Sequence, residues 1–137
     1  MTTTGMYPVS IKGVVIRDGA VLLLRNDREE WELPGGRLEL GETPEECVTR
    51  EIIEETSWPV RTGPILDAWP YHITVARKTV LIVTYGCYPD TEAEPVLSHE
   101  HAEIALVPVD AVEALRMPEG YKRSIATWSA RRHTPAA

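Results

Sequence analysis

Seven glutamates crowd one short stretch of this chain: Glu39, Glu42, Glu45, Glu46, Glu51, Glu54 and Glu55, against a single cation, Arg50. That local balance of −6 is nearly the whole formal charge of the protein, −7. On a helix advancing about 100° per residue, Glu51, Glu54 and Glu55 share one arc, because residues three and four apart are neighbours. Glu51 and Glu55 are then a like-charged pair. Two unit charges about 4 Å apart repel by about 4 kcal/mol at an effective dielectric of about 20. A bound cation reverses that sign, and Mg²⁺ seeks hard carboxylate oxygens together with substrate phosphate oxygens. On spacing alone, a solvated acidic helix face accounts for the pattern as well as a metal site does.

The elements that must position these carboxylates are legible around them. Val9 to Arg17 is rich in β-branched residues, Asp18-Gly19 offers a turn, and Ala20 to Arg25 resumes an apolar run, which predicts a hairpin. Trp31 to Leu33 reads as a short strand, with Pro34, Gly35 and Gly36 ending its pairing. Thr43, Pro44 and Glu46 spell an N-cap, a first-turn proline and a capping box, so a helix runs from there to about Thr56. Its Val48 and Ile52 form the stripe that docks on a sheet. Further strands are expected over Ile65 to Val75, Thr79 to Tyr88 and Glu103 to Val109. A short helix capped by Asp110 runs through Leu115, and a last helix spans Pro118 to Trp128, with Tyr121, Ile125 and Trp128 as core. This order gives a mixed sheet flanked by helices rather than a regular βαβ series.

From Gly36 the chain reads glycine, five residues, Glu42, seven residues, then Arg50-Glu51-Ile52-Ile53-Glu54-Glu55-Thr56-Ser57-Trp58. This resembles the box of the Nudix (MutT-like) hydrolases, with its Gly, Arg and all four Glu in place. Trp31-Glu32-Leu33-Pro34-Gly35-Gly36 looks like the usual lead-in, and the likeness extends from about Val9 to Ile125. Ser57 departs from the pattern, which has glycine there; serine must strain or find another exit from the helix.

The resemblance implies a Nudix-type α/β/α sandwich and hydrolysis of a nucleoside diphosphate linked to another moiety, a nucleoside triphosphate being favoured over a sugar nucleotide. It implies Mg²⁺, with Mn²⁺ as a substitute, held by Glu51, Glu54, Glu55 and the Gly36 carbonyl, with Glu100 as an additional ligand. Such an ion offsets the repulsion of a polyanionic substrate and activates water. Arg50, pairing with Glu46 and Glu54, orients the cluster. Glu51 is the first choice of general base, Glu100 the alternative, with Glu103 behind it. Arg25, Trp31 and Arg37 are the candidate substrate contacts, Trp31 being equally suited to packing in the sheet. Two rivals stay in view: a catalytically silent nucleotide-binding regulatory module of the same fold, and an isomerase-type member acting on a prenyl diphosphate.

Other motifs carry less. Gly36 to Thr43 nearly spells a phosphate-binding P-loop, but Glu42 stands where lysine is needed. His99 and His101 lack the partners of a zinc site. Cys47, one turn before Glu51, reads as a packing residue, or as an oxidation-sensitive thiol beside a metal. Lys122, Arg123, Arg131 and Arg132 read as the solvated end of a helix. The length matches one domain, residues 1–137, with residues 1–7 and 129–137 expected as loose tails. Two cysteines are too few for a disulfide framework and suit a reduced cytoplasm. Net acidity argues against a nucleic-acid polymer as partner, and no apolar run reaches the roughly 20 residues of a membrane span. A monomer or homodimer acting on a small nucleotide is the resulting expectation.

Overall fold

The computed structural model describes residues 2–132. The opening hairpin pairs β1 (Val9–Arg17) with β2 (Ala20–Arg25) only at its tip, through Ile16 opposite Val21 and Arg17 opposite Ala20. Beyond that the two strands part. β2 pairs with β3 (Trp31–Glu32), while the start of β1 pairs with β4 (Gly35–Arg37), matching Ser10 to Arg37 and Lys12 to Gly35. Gly35 and Gly36 thus continue the sheet instead of ending it, as the glycines had suggested. Gly35 has φ 144°, and a Cβ there would meet the Ile11 carbonyl oxygen at 2.0 Å, so glycine is required for this return.

The helix α1 (Pro44–Thr56) follows with the expected N-terminus: Thr43 accepts from the Glu46 backbone, and the Glu46 side chain accepts from the Thr43 backbone. At its other end Ser57 adopts the left-handed conformation, φ 64° and ψ 12°, and donates its N–H to the Ile53 carbonyl at 2.9 Å. Serine therefore takes the exit glycine would take, with a Cβ penalty.

A long hairpin, β5 (Val60–Ile73) and β6 (Lys78–Pro89), lies beside β1, with β6 parallel to it. β5 begins at Val60, before the expected Ile65; irregular pairing between Thr62 and Asp67 lets the strand pass Gly63 and Pro64. β7 (Glu103–Pro108) completes the sheet against β2. The main path is β3-β2-β1-β6-β5. A 3₁₀ turn (Val109–Ala114) follows with Pro108 at its start and no side-chain cap, so Asp110 lies in its first turn and does not cap it. The last helix, α2 (Glu119–Arg132), runs four residues into the stretch read as a tail, and residues 133–137 lie outside those described.

Alternation along β1 and β2 divides the core. Ile11, Val15 and Leu22 pack with Val48, Ile52 and Trp58 beneath α1, while Val14, Ile16, Val21 and Leu23 pack with Tyr121, Ile125 and Trp128 of α2. Helices thus cover both faces of a mixed sheet, the α/β/α sandwich. Among the described residues no helix is long and apolar enough to cross a membrane.

Candidate active site

Docking Cys47, Val48 and Ile52 in the sheet fixes which side of α1 the glutamates occupy. Glu51 then lies against the backbone of Gly36, so closely that a Cβ on Gly36 would sit 2.5 Å from the Glu51 Cδ. Only a residue without a side chain leaves room for that carboxylate. Cys47 lies below it, its thiol donating to the carbonyls of Gly36 at 3.6 Å and Arg37 at 3.4 Å. Burial and a hydrogen bond to Glu42 push this thiol up to about 12. It packs beneath the glycine turn and holds it through these two carbonyls.

Arg50 gathers the box carboxylates. Its guanidinium grips Glu42 through two bonds, 2.7 and 3.0 Å, and donates to Glu51 at 2.8 Å and Glu54 at 3.4 Å. Glu39 stands at 3.9 Å. The expected Glu46 partner is not among these, because the capping box engages it. Hydrogen bonds from Arg50 and from the Glu39 backbone bring Glu42 down to about 2.

Glu55 turns the other way. It is buried, accepts the Gly35 N–H at 2.7 Å and has His101 Nε2 at 3.6 Å. Burial raises its pKa to about 7, against the opposing pull of Lys12, the Gly35 N–H and His101. His101 also bonds Glu32 at 2.9 Å, and Glu32 accepts from Asn26 at 3.1 Å. Burial works to raise Glu32, but Lys12 and these hydrogen bonds win and bring it to about 2. Lys12 is itself buried; desolvation lowers its pKa, but Tyr121, Glu32, Glu55 and Glu51 outweigh it and keep the ammonium charged.

The other expected residues divide. Arg37 is exposed and lines a cleft of about 200 Å³ with Lys12, Arg28, Glu32, Tyr71 and Lys78. Arg25 pairs instead with Glu103 at 3.1 Å, which also occupies the reserve candidate for the base. Trp31 packs against the α2-side core, as its strand position allowed. Glu100 and His99 are exposed on the 98–102 loop, and it is His101 that this loop sends inward. Sequence reasoning missed Lys12 and Glu32. A lysine on a strand face otherwise filled by Val14 and Ile16 was the available sign for the first; Glu32 was seen only as part of a lead-in.

As these side chains stand, no group of three or more His, Cys, Asp or Glu encloses an ion position among the described residues. Glu51 faces Arg50, Glu54 points to the exterior and Glu55 points inward. The donor chemistry nevertheless suits a hard divalent cation: carboxylate oxygens, a backbone carbonyl, and a glycine that keeps Glu51 beside that carbonyl.

A NUDIX domain model matches residues 6–128, and the chain belongs to the Nudix family of hydrolases, which act on acid anhydrides in phosphorus-containing compounds and generally use divalent cations. It is 36% identical over 122 residues to a MutT-like protein of Streptomyces ambofaciens, covering 88% of this chain and 75% of that one. It is 38% identical over 80 residues to the putative ADP-ribose pyrophosphatase YjhB of Bacillus subtilis, covering 48% of this chain and 38% of that protein. The fold is shared with the MutT protein of Methanosarcina mazei Go1, at a TM-score of 0.79 and 23% identity, over 97% of this chain and 100% of that one.

Proposed function

We propose that this hydrolase cleaves the diphosphate linkage of a nucleoside triphosphate or related nucleotide, using Mg²⁺ at the box glutamates. The observation that carries this reading is the Glu51 carboxylate lodged against Gly36, at the edge of a cleft lined by four cationic side chains. Glu51, Glu54, Glu55 and the Gly36 carbonyl would hold the ion, with Glu100 able to join from its exposed loop. An ion held by these residues would lower the pKa of water and polarise phosphoryl oxygens.

The chain's own residues supply the rest. Glu51 would take the proton of the attacking water. Arg50 fixes Glu51 and spreads the repulsion among Glu42, Glu51 and Glu54. Arg37 meets the phosphates on the cleft side. The name of the Bacillus subtilis relative supports a second reading, a nucleoside diphosphate sugar, and the tyrosine walls of the cleft could stack on either substrate.

The test is a panel of nucleoside triphosphates and ADP-ribose incubated with Mg²⁺ in ¹⁸O-labelled water, with products weighed by mass spectrometry. A nucleoside monophosphate with pyrophosphate, or a diphosphate with phosphate, carrying one labelled oxygen supports the first reading. Two monophosphate products from ADP-ribose support the second. Tight nucleotide binding with no turnover across the panel would favour the silent regulatory module and overturn both.

A further inference from the structure

On the face of β1 turned toward α2, Val14 and Ile16 pack in the core, while Ser10 and Lys12 line the cleft of about 200 Å³. Lys12 is only 8% exposed; Glu32, Glu55 and Glu51 act on its ammonium through their charge, but among the described residues none of them hydrogen-bonds to it. These carboxylates keep it charged but do not take up its N–H donors, which stay free for a ligand in the cleft. The side chains that line the cleft say which charge such a ligand carries. Arg28, Arg37 and Lys78 line the same cleft, against one carboxylate, Glu32, whose oxygens are already engaged by Asn26 and His101.

A protein of net charge −7 has thus concentrated cations in one small concavity. Its position adds the chemistry. In the β1–β4 ladder Ser10 lies opposite Arg37, Ile11 opposite Gly36 and Lys12 opposite Gly35, so the cleft begins beside the glycine that receives Glu51. A chain of phosphates with one linkage at Glu51 extends naturally into it.

We propose that Lys12 is a substrate-binding residue that grips the part of the phosphate chain lying away from the glutamates, with Arg37 and Lys78 flanking it. The link to turnover rests on the hydrolase reading above; the binding itself does not. Lys12 is the one cation of the four that the fold buries, so it is held in place before the ligand arrives. Arg28 is partly neutralised by Glu30 at 3.2 Å and contributes less.

The experiment is calorimetric titration with inorganic tripolyphosphate in EDTA, where no metal can mediate binding. The wild-type chain should bind it, and Lys12→Met should weaken that binding at least tenfold with a cooperative melt retained. A double variant of exposed positions, Arg37→Met with Lys78→Met, should weaken it at least tenfold as well, and decides the matter if Lys12→Met fails to fold. No binding by the wild type, or undiminished binding by folded Lys12→Met or by the double variant, overturns the proposal. A chain that hydrolyses nucleotides but ignores tripolyphosphate sinks this inference alone; one that binds tripolyphosphate but hydrolyses nothing sinks only the hydrolase reading.

Discussion

Gly36 and Glu51 are in such close register that the smallest side chain on the first would displace the carboxylate of the second, the hypothetical Cβ lying 2.5 Å from Glu51 Cδ. The contact is with the end of a flexible side chain, so the backbone need not yield. Gly36→Ala should therefore lower turnover at least tenfold while shifting the melting temperature by only a few degrees. Steady-state kinetics with Mg²⁺ and a thermal melt check both halves. Unimpaired turnover would mean that the position of Glu51 does not matter.

Arg50 holds three glutamates in a geometry that a point charge cannot reproduce: two bonds to Glu42 and one each to Glu51 and Glu54. Arg50→Lys keeps the charge and loses the fork. The expected result is a drop in kcat of about ten- to a hundredfold, with KM changed much less, because Arg50 positions the carboxylates rather than the substrate. A rise in KM alone would place Arg50 on the substrate.

Ser57, with φ 64°, occupies a conformation that costs an L-residue roughly 1–2 kcal/mol. Glycine removes that cost but adds about 0.5–1 kcal/mol of backbone entropy. Ser57→Gly should stabilise the fold by about 0.5–1 kcal/mol and raise the melting temperature by roughly 2–5 °C. A lower melting temperature would show that the serine side chain contributes something the exit geometry does not reveal.

Glu32, brought down to about 2 in the fold, contributes stability that is fully present above the ordinary glutamate value of 4.5 and is lost as the pH falls through 2. Burial opposes this shift, so the stabilising side comes from Lys12, His101 and Asn26. The stability difference between wild type and Glu32→Gln should shrink by on the order of 3 kcal/mol between pH 6 and pH 2. Urea unfolding at intervals of pH would measure it. A difference independent of pH would remove the charge from the account of Glu32.

The residues that punctuate the chain made much of this fold readable. Thr43, Pro44 and Glu46 placed the start of α1, and the Asp18-Gly19 pair placed the hairpin, because capping and turn chemistry act within a few residues. Gly63 and Pro64 concealed the first part of β5, since a bulge lets a sheet absorb residues that local propensity rejects. The box spacing marked the glutamates, but spacing alone cannot say which partner a long side chain chooses. Arg50 chose Glu42, eight residues away, over the helical neighbour Glu46. Lys12 and His101 act on Glu55, and His101 also bonds Glu32, a convergence that exists only after β1, β3 and the 98–102 loop have been brought together.

The central claim is that the box glutamates hold a divalent cation, and a Mn²⁺ titration followed by electron paramagnetic resonance tests it most directly, with Mn²⁺ standing in for Mg²⁺. Glu54 is the variant of choice, because its side chain is 57% exposed and Glu54→Gln leaves the core untouched. The account predicts that the wild type binds Mn²⁺ and that Glu54→Gln binds it at least tenfold more weakly at an unchanged melting temperature. Equal affinity in the two proteins, or no Mn²⁺ binding by the wild type, would contradict it.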